Sequence, residues 1–81
     1  MLIDQDNKNI DIVKNIILNR MAHKSNTEEN ILRSICKQTD LSRSESKKFL
    51  DKYAGGYWNL QKDENGINMY RLNSFYNLGG E

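Results

Sequence analysis

The chain has 81 residues, of which 37% are hydrophobic and 28% are charged, and its formal net charge is +1 at pH 7. This length suits one small domain, and this composition is typical of a soluble globular protein rather than a disordered one. No apolar run approaches the roughly 20 residues that a membrane span needs. From length and composition we therefore expect one small globular domain rather than a multidomain, membrane-spanning or intrinsically disordered chain.

The N-terminus and the cysteine content indicate the compartment. The first residues lack the basic start and the long apolar run of a signal peptide, so we expect a cytoplasmic protein. The single cysteine cannot form an internal disulfide, which fits a reducing compartment. We interpret residues 1–8 as an N-terminal extension, residues 9–73 as the folded domain, and residues 74–81 as a C-terminal tail.

An amphipathic pattern predicts a first helix over residues 9–22. Asn9 is the predicted N-cap, because its side-chain oxygen can accept a hydrogen bond from an amide of the first turn. The apolar residues recur at helical spacing, which predicts one face directed at a core. That face consists of Ile10, Ile12, Val13, Ile16, Ile17 and Met21.

A second helix is predicted directly after the break at residues 23–26. Either Ser25 or Thr27 can cap it, and Glu28 and Glu29 place negative charge near the positive end of the helix dipole. The helix should end near residue 38. Its predicted apolar face consists of Ile31, Leu32, Ile35 and Cys36.

A turn at residues 39–41 leads to a third helix. Ser42 and Glu45 have the spacing of a capping box, in which each side chain satisfies the backbone amide of the other. Gly55 and Gly56 are expected to end this helix. Its predicted core side carries Ser46, Phe49, Leu50 and Tyr53. Its predicted outer side carries Ser44, Lys47, Lys48 and Asp51, with Arg43 and Lys52 on the flanks.

The end of the chain predicts a β-hairpin whose register follows from its turn. A two-residue turn would direct the apolar residues of the two strands to opposite faces. A three-residue loop ending at a left-handed Gly66 instead sets Trp58 opposite Leu72. The same register sets Leu60 opposite Tyr70, so we predict one apolar face that the helices cover. The predicted polar face carries Asn59, Gln61 and Arg71.

This order of elements resembles the winged helix-turn-helix superfamily of bacterial, archaeal and phage DNA-binding proteins. The matching residues are Leu41-Ser42-Arg43-Ser44, Phe49-Leu50, Tyr53, Gly56 and the closing strand Met69-Tyr70-Arg71-Leu72. The resemblance implies an α+β fold, mostly α, with a three-helix helix-turn-helix core followed by a two-stranded β-hairpin wing. The chain departs from the family at Ser46, where a branched apolar residue is usual. It also departs at Asp63 and Glu64, an acidic wing tip where Arg or Lys is common.

The resemblance implies that the third helix, about residues 42–54, lies in the DNA major groove. Arg43 can then read a guanine edge, while Ser44 and Lys47 contact base or phosphate. Lys48 and Lys52 suit the phosphate backbone. The predicted DNA contacts are Thr27, Ser42, Arg43, Ser44, Lys47, Lys48, Lys52 and Arg71.

The charge balance limits this DNA-binding hypothesis. Residues 33–53 contain six basic and three acidic side chains, a net charge of +3, yet the whole chain has only +1. Phosphate contacts supply most non-specific affinity, so a monomer with three or four of them binds weakly. DNA binding therefore implies a homodimer or a protein partner. The apolar residues near the termini can supply such a contact surface or close the small core; they are Leu2, Ile3, Phe75, Tyr76 and Leu78.

The residue types that metal and catalytic sites need are scarce. His23 is the only histidine and Cys36 the only cysteine, whereas a metal site needs three or four convergent ligands. We expect Cys36 to be a buried thiol. Asp4, Asp6 and Asp11 lack the glycine turn and the closing glutamate of a calcium loop, so we interpret them as solvating and capping groups. We expect no metal, no cofactor and no enzymatic activity.

Three functions remain open. The favoured one is a small duplex DNA-binding protein, either a transcriptional regulator or a protein of a phage or other mobile element. The second is an accessory module of a replication or recombination complex that binds single-stranded DNA or an enzyme partner. An exposed Tyr57 or Trp58 would favour it, although we expect Trp58 in the core. The third is a winged helix used only for protein–protein interaction.

Overall fold

The computed structural model describes residues 4–73, which form three helices followed by a two-stranded antiparallel hairpin. The predicted α+β, mostly α fold class is confirmed, and the order of elements is compatible with a winged-helix layout. The elements are α1 (Asp4–Ala22), α2 (Glu28–Gln38), α3 (Arg43–Lys52), β1 (Trp58–Lys62) and β2 (Asn68–Leu72). The terminal residues Leu2, Ile3, Phe75, Tyr76 and Leu78, with the predicted tail, lie outside the described residues.

Helix α1 begins at Asp4, five residues earlier than predicted. The predicted N-cap is therefore wrong, because Asn9 lies inside the helix and is only 4% exposed. No glycine or proline interrupts residues 4–8, and the acidic residues there suit the positive end of the helix dipole. The predicted apolar stripe is confirmed, with Ile12 and Met21 half-buried and the other four members buried.

The predicted starts of the second and third helices are confirmed by their caps. Thr27 Oγ1 accepts a hydrogen bond from the Asn30 amide at 3.4 Å. Ser42 Oγ accepts from the Glu45 amide at 3.1 Å, and Glu45 Oε1 accepts from the Ser42 amide at 2.9 Å. This is the predicted capping box. Helix α3 ends at Lys52, slightly before the predicted end near residue 54.

The segment before α2 pairs with strand β2. The Tyr70 amide donates to the Asn26 carbonyl at 3.0 Å, and Asn26 Nδ2 donates to the Tyr70 carbonyl at 2.6 Å. Thr27 and Met69 form an isolated antiparallel bridge beside them. Strand β2 therefore has neighbours on both edges, which holds the start of α2 beside the hairpin.

The predicted hairpin register is confirmed. Trp58 lies opposite Leu72 and Leu60 lies opposite Tyr70. The loop has the predicted three residues, 64–66, because the Asp63 amide before it donates to the Ile67 carbonyl after it at 3.0 Å. Gly66 adopts the left-handed φ of +80° that the bulge requires.

The prediction of a fully covered apolar sheet face is wrong at one position. Trp58 and Tyr70 are completely buried and Leu72 is 7% exposed, but Leu60 is 42% exposed. The reason is that α1 and α2 pack mainly against β2, so the loop end of β1 extends past the helices. The apolar face is therefore covered on β2 and at Trp58, and open at Leu60 of β1.

The prediction for Cys36 is also wrong, because its side chain is exposed. Ser34 occupies the inward position instead, and its Oγ accepts a hydrogen bond from Arg20 Nη2 of α1 at 2.9 Å. Ser34 lies on the side of α2 that contacts α1, whereas Cys36 lies on the side next to α3, with its Sγ 3.7 Å from Ser46 Oγ. The position of α1 therefore decides which border of α2 is buried.

A buried serine in α3 has its hydroxyl satisfied within the helix. Ser46 is fully buried, and its Oγ donates to the Ser42 carbonyl at 2.7 Å. No polar side-chain atom buried in the part of the chain that the structure describes lacks a hydrogen-bond partner. Helix α3 therefore accommodates a small polar residue on its buried side, because the helix supplies the acceptor.

We predict that Leu72→Ala destabilises the protein far more than Leu60→Ala. The two substitutions remove the same atoms from the same face of the hairpin, but only Leu72 is buried. A buried Leu→Ala change costs about 2–5 kcal/mol, whereas an exposed one is expected to cost less than about 1 kcal/mol. Urea unfolding followed by Trp58 fluorescence measures both. Equal losses would contradict the observed closure of the core.

Candidate nucleic-acid interface

The outer side of α3 carries most of the predicted DNA-contacting residues. Arg43, Ser44, Lys48 and Lys52 are exposed and Lys47 is half-buried; we call these five residues the α3 surface. The opposite side of the helix is fixed in the core by buried apolar residues. The structure therefore brings together five of the eight predicted contacts on one face.

Arg43 forms a two-point ion pair with the first turn of α2. Its Nη1 and Nη2 atoms donate to Glu29 Oε2 and Oε1 at 3.1 and 2.6 Å. Arg33 adds a second positive charge, with its Nη2 4.0 Å from Glu29 Oε2. The hydrogen bonds and charge of Arg43 lower the pKa of Glu29. More than half of each side chain is exposed, so solvent screens this pair and it is exchangeable.

Lys47 contacts three different elements. Its Nζ lies 3.1 Å from Asp51 Oδ1, 3.6 Å from Glu28 Oε1 and 3.3 Å from the Tyr70 hydroxyl. Burial disfavours the charged ammonium, but the hydrogen bonds to Asp51 and Tyr70 outweigh it and raise the pKa of Lys47. Lys47 therefore links α3 to the start of α2 and to the core strand.

Lys52 is paired at the other end of α3. Its Nζ donates to Asp6 Oδ2 at 3.3 Å, and the Tyr53 hydroxyl donates to the same oxygen at 2.6 Å. The Tyr53 hydrogen bond is the main cause that lowers the pKa of Asp6, and Lys52 adds to it against an opposing effect of burial. Asp6 lies in the segment predicted as an extension, yet it binds the end of α3 through Lys52 and Tyr53.

The remaining predicted contacts differ in their availability. Lys48 and Ser44 form no hydrogen bond or ion pair in residues 4–73 and face solvent. The side chains of Thr27 and Ser42 cap their helices. Arg71 is exposed on the outer face of β2, away from the α3 surface. Their roles in DNA contact stay predictions.

The acidic wing tip has a structural role at one of its two carboxylates. Asp63 Oδ1 accepts hydrogen bonds from the amides of Asn65 and Ile67 at 2.8 and 2.9 Å. This carboxylate holds the hairpin loop in shape. Glu64 next to it is exposed, so the tip keeps a negative charge where a DNA-binding wing often has a positive one.

The aromatic residues of the hairpin lie in or against the core. Trp58 is fully buried, as predicted, and its Nε1 donates to the Leu50 carbonyl at 2.9 Å. Tyr57 is half-buried, with ring centroids 5.9 and 6.0 Å from Tyr53 and Trp58 and the Lys14 ammonium over its ring. Neither ring offers the open stacking platform that single-stranded DNA needs.

Sequence reasoning did not identify the carboxylate partners of the α3 surface. Glu29 and Arg43 are 14 residues apart, and Asp6 and Lys52 are 46 residues apart. No helical or strand spacing connects such pairs. The sequence signal for these ion pairs was the run of two glutamates at the start of α2. The turn that follows α2 places α3 beside that end of α2.

No group of three or more His, Cys, Asp or Glu side chains in residues 4–73 is placed to hold a metal ion. Among the three helices that the structure describes, none is both long enough and apolar enough to cross a bilayer.

Comparison of the chain with models of protein families, with curated proteins and with solved structures finds no match.

We predict that the protein loses stability as the pH falls below about 4. The pKa values of Asp6, Glu29 and Glu45 are all lowered by hydrogen bonds in the folded state. A carboxyl with a lowered pKa stabilises the fold above its unfolded pKa, and that contribution disappears as the pH falls through its folded pKa. Urea unfolding between pH 7 and pH 3 measures the loss.

The Asp6→Asn variant tests the contribution of one carboxyl to this pH dependence. It should be less stable than the wild type at pH 7, and the difference should become smaller as the pH falls towards 3. Asp11→Asn is the matched control, because Asp11 is an exposed residue of the same helix. A constant difference between Asp6→Asn and the wild type at every pH would contradict the assignment.

Proposed function

We propose that this chain is a small winged-helix DNA-binding protein that places α3 in the major groove of duplex DNA. The supporting observation is the α3 surface, where cationic and hydroxyl side chains share the outer face of a helix fixed by its other face. The major groove is about 12 Å wide and admits one helix. The hairpin next to α3 occupies the position of a wing, which fits membership of the winged helix-turn-helix superfamily.

In this proposal each side chain of the α3 surface has its own role. Arg43 lies in the first turn of α3, where helix-turn-helix proteins contact base edges, and its planar fork fits the two acceptors of guanine. Ser44 and Lys47 add contacts to base or phosphate. Lys48 and Lys52 lie further along the helix and bind the phosphate backbone. Thr27, Ser42 and Arg71 lie outside this surface and supply flanking contacts.

The charge of the protein calls for a second subunit or a protein partner. Arg43, Lys47 and Lys52 are each paired with a carboxylate, so the field that attracts DNA is smaller than the basic residues suggest. Two copies of the chain would double the number of phosphate contacts, and a protein partner would add contacts of its own. A regulator or a mobile-element protein that binds as a homodimer fits this requirement.

We predict that Arg43→Ala weakens duplex binding about tenfold or more, because a two-point contact to guanine is lost. Lys47→Ala should reduce the slope of log affinity against log salt by about one, and the double variant should show no binding. Fluorescence anisotropy with labelled duplex DNA at several salt concentrations measures these effects. Lys8→Ala, a charge-matched change on the exposed side of α1, is the control. Unchanged retention of Arg43→Ala on duplex DNA at low salt would refute the proposal.

A protein-interaction module is the second candidate, and the ion pairs favour it. A helix whose cations are matched by Glu28, Glu29 and Asp6 presents a nearly neutral, polar face, which suits a protein partner better than DNA. In this case no nucleic acid binds even at low salt, and a pull-down recovers one stoichiometric partner. If that partner is an enzyme of replication or recombination, the chain is an accessory protein of that complex. If single-stranded DNA competes for the protein better than duplex DNA, an accessory function that binds single-stranded DNA is favoured.

A further inference from the structure

The first turn of α2 presents two adjacent carboxylates to the α3 surface. Glu29 meets Arg43 through two hydrogen bonds, and Glu28 lies 3.6 Å from the Lys47 ammonium. We propose that Glu28 and Glu29 form an autoinhibitory contact, in which they occupy the donors of Arg43 and Lys47 that DNA must engage. This inference rests on the proposed function of α3.

The geometry of the Arg43 pair is the first argument. Arg43 uses Nη1 and Nη2 together on the two oxygens of Glu29. A guanidinium binds a phosphate or the edge of a guanine with the same kind of two-point contact. Arg43 therefore cannot make an end-on contact to a base while it holds Glu29.

The Lys47 site is the second argument. An ammonium group has three N–H donors, and three oxygens lie within 3.6 Å of the Lys47 Nζ. They belong to Asp51, Tyr70 and Glu28. Glu28 is itself held in place, because its Oε1 accepts a hydrogen bond from Asn68 Nδ2 of β2 at 2.8 Å. Asp51 and Tyr70 accept hydrogen bonds from Lys47, so a phosphate that takes the third donor competes with the Glu28 carboxylate of the ion pair.

The position of the two glutamates is the third argument. They lie in the first turn of α2, where the positive end of the helix dipole stabilises a carboxylate. The same backbone amides near Thr27 are the ones predicted to take a DNA phosphate. Negative charge at Glu28 and Glu29 repels a phosphate from that helix end while it holds the cations of α3. Glu28 and Glu29 therefore oppose both predicted DNA contacts, the one at the cations of α3 and the one at the amides near Thr27.

This arrangement predicts how binding proceeds. The exposed side chains of Lys48 and Ser44, which form no hydrogen bond or salt bridge in residues 4–73, are available at first contact with DNA. Arg43 and Lys47 join only when a base edge or a phosphate replaces a carboxylate. A weak contact that leaves the carboxylate in place gains no binding energy from Arg43. Glu28 and Glu29 therefore lower the affinity for non-specific DNA more than the affinity for a specific site.

The test compares duplex binding by the wild type, Glu29→Gln and Glu29→Ala at one salt concentration. Glu29→Ala is included because a glutamine oxygen can still accept from Arg43. Asp11→Asn is the control for the added positive charge, since Asp11 is exposed on α1. Thermal melting verifies that each variant is folded. We expect both Glu29 variants to bind about two- to fivefold more tightly than Asp11→Asn, the range for release of an exposed ion pair.

The Arg43→Lys background separates competition for Arg43 from a general effect of charge. Lysine keeps the positive charge but cannot form the two-point contact. In this background Glu29→Ala should gain much less over Asp11→Asn than it gains when Arg43 is present. An equal gain in both backgrounds would overturn the inference.

The outcomes distinguish failure of the inference from failure of the proposed function. If the wild type binds duplex DNA but the Glu29 variants bind no more tightly than Asp11→Asn, autoinhibition is wrong and DNA binding stands. If the Glu29 variants bind more weakly, Glu29 orients Arg43 for DNA, and autoinhibition is also wrong. If neither the wild type nor any Glu29 variant binds duplex DNA at low salt, both are wrong.

Discussion

The packing of Trp58 against the inner side of α3 determines which side of that helix faces solvent. The indole is fully buried, its Nε1 donates to the Leu50 carbonyl, and its ring centroid lies 6.3 and 6.4 Å from those of Phe49 and Tyr53. These three partners lie on one side of α3. Because this contact orients the helix, the cationic residues are left on the other side, where a ligand can reach them.

The hairpin can hold α3 in this way because it is itself anchored on two sides. Strand β2 pairs with β1 in the register set by the loop at Gly66, and with the segment before α2 through Asn26. The second pairing brings the first turn of α2 beside α3. The same contacts that build the core therefore bring Glu28 and Glu29 close to Arg43 and Lys47.

The electrostatics of the surface follow from that proximity. The positive charge of residues 33–53 suggests a basic face, but the folded chain pairs four of its cations with carboxylates from α1, α2 and α3 itself. The pairs of Arg33 and Arg43 with Glu29 are exposed, so they add little to stability and Glu29 can be exchanged for another anion. Their main consequence is to lower the attraction for nucleic acid, which makes the affinity of the α3 surface depend on its acidic neighbours.

Local signals in the sequence were sufficient for several features of the fold. The capping box at Ser42 and Glu45, the cap at Thr27 and the loop at Gly66 each depend on residues within four positions of one another. The alternation around Trp58 then determined the register. Such features are predictable because the atoms that stabilise them are neighbours in the chain.

Apart from the start of α1, the features that were mispredicted depend on contacts between distant segments. Cys36 is exposed because α1 covers the other border of α2, and Leu60 is exposed because the helices pack on β2. The ion pairs of Arg43 and Lys52 join residues 14 and 46 positions apart. The sequence by itself thus determined the order of the elements, the N-terminal caps of α2 and α3 and the register of the hairpin. Only the tertiary structure decided which borders are buried and which cations are paired, because those depend on how the helices and the hairpin pack in space.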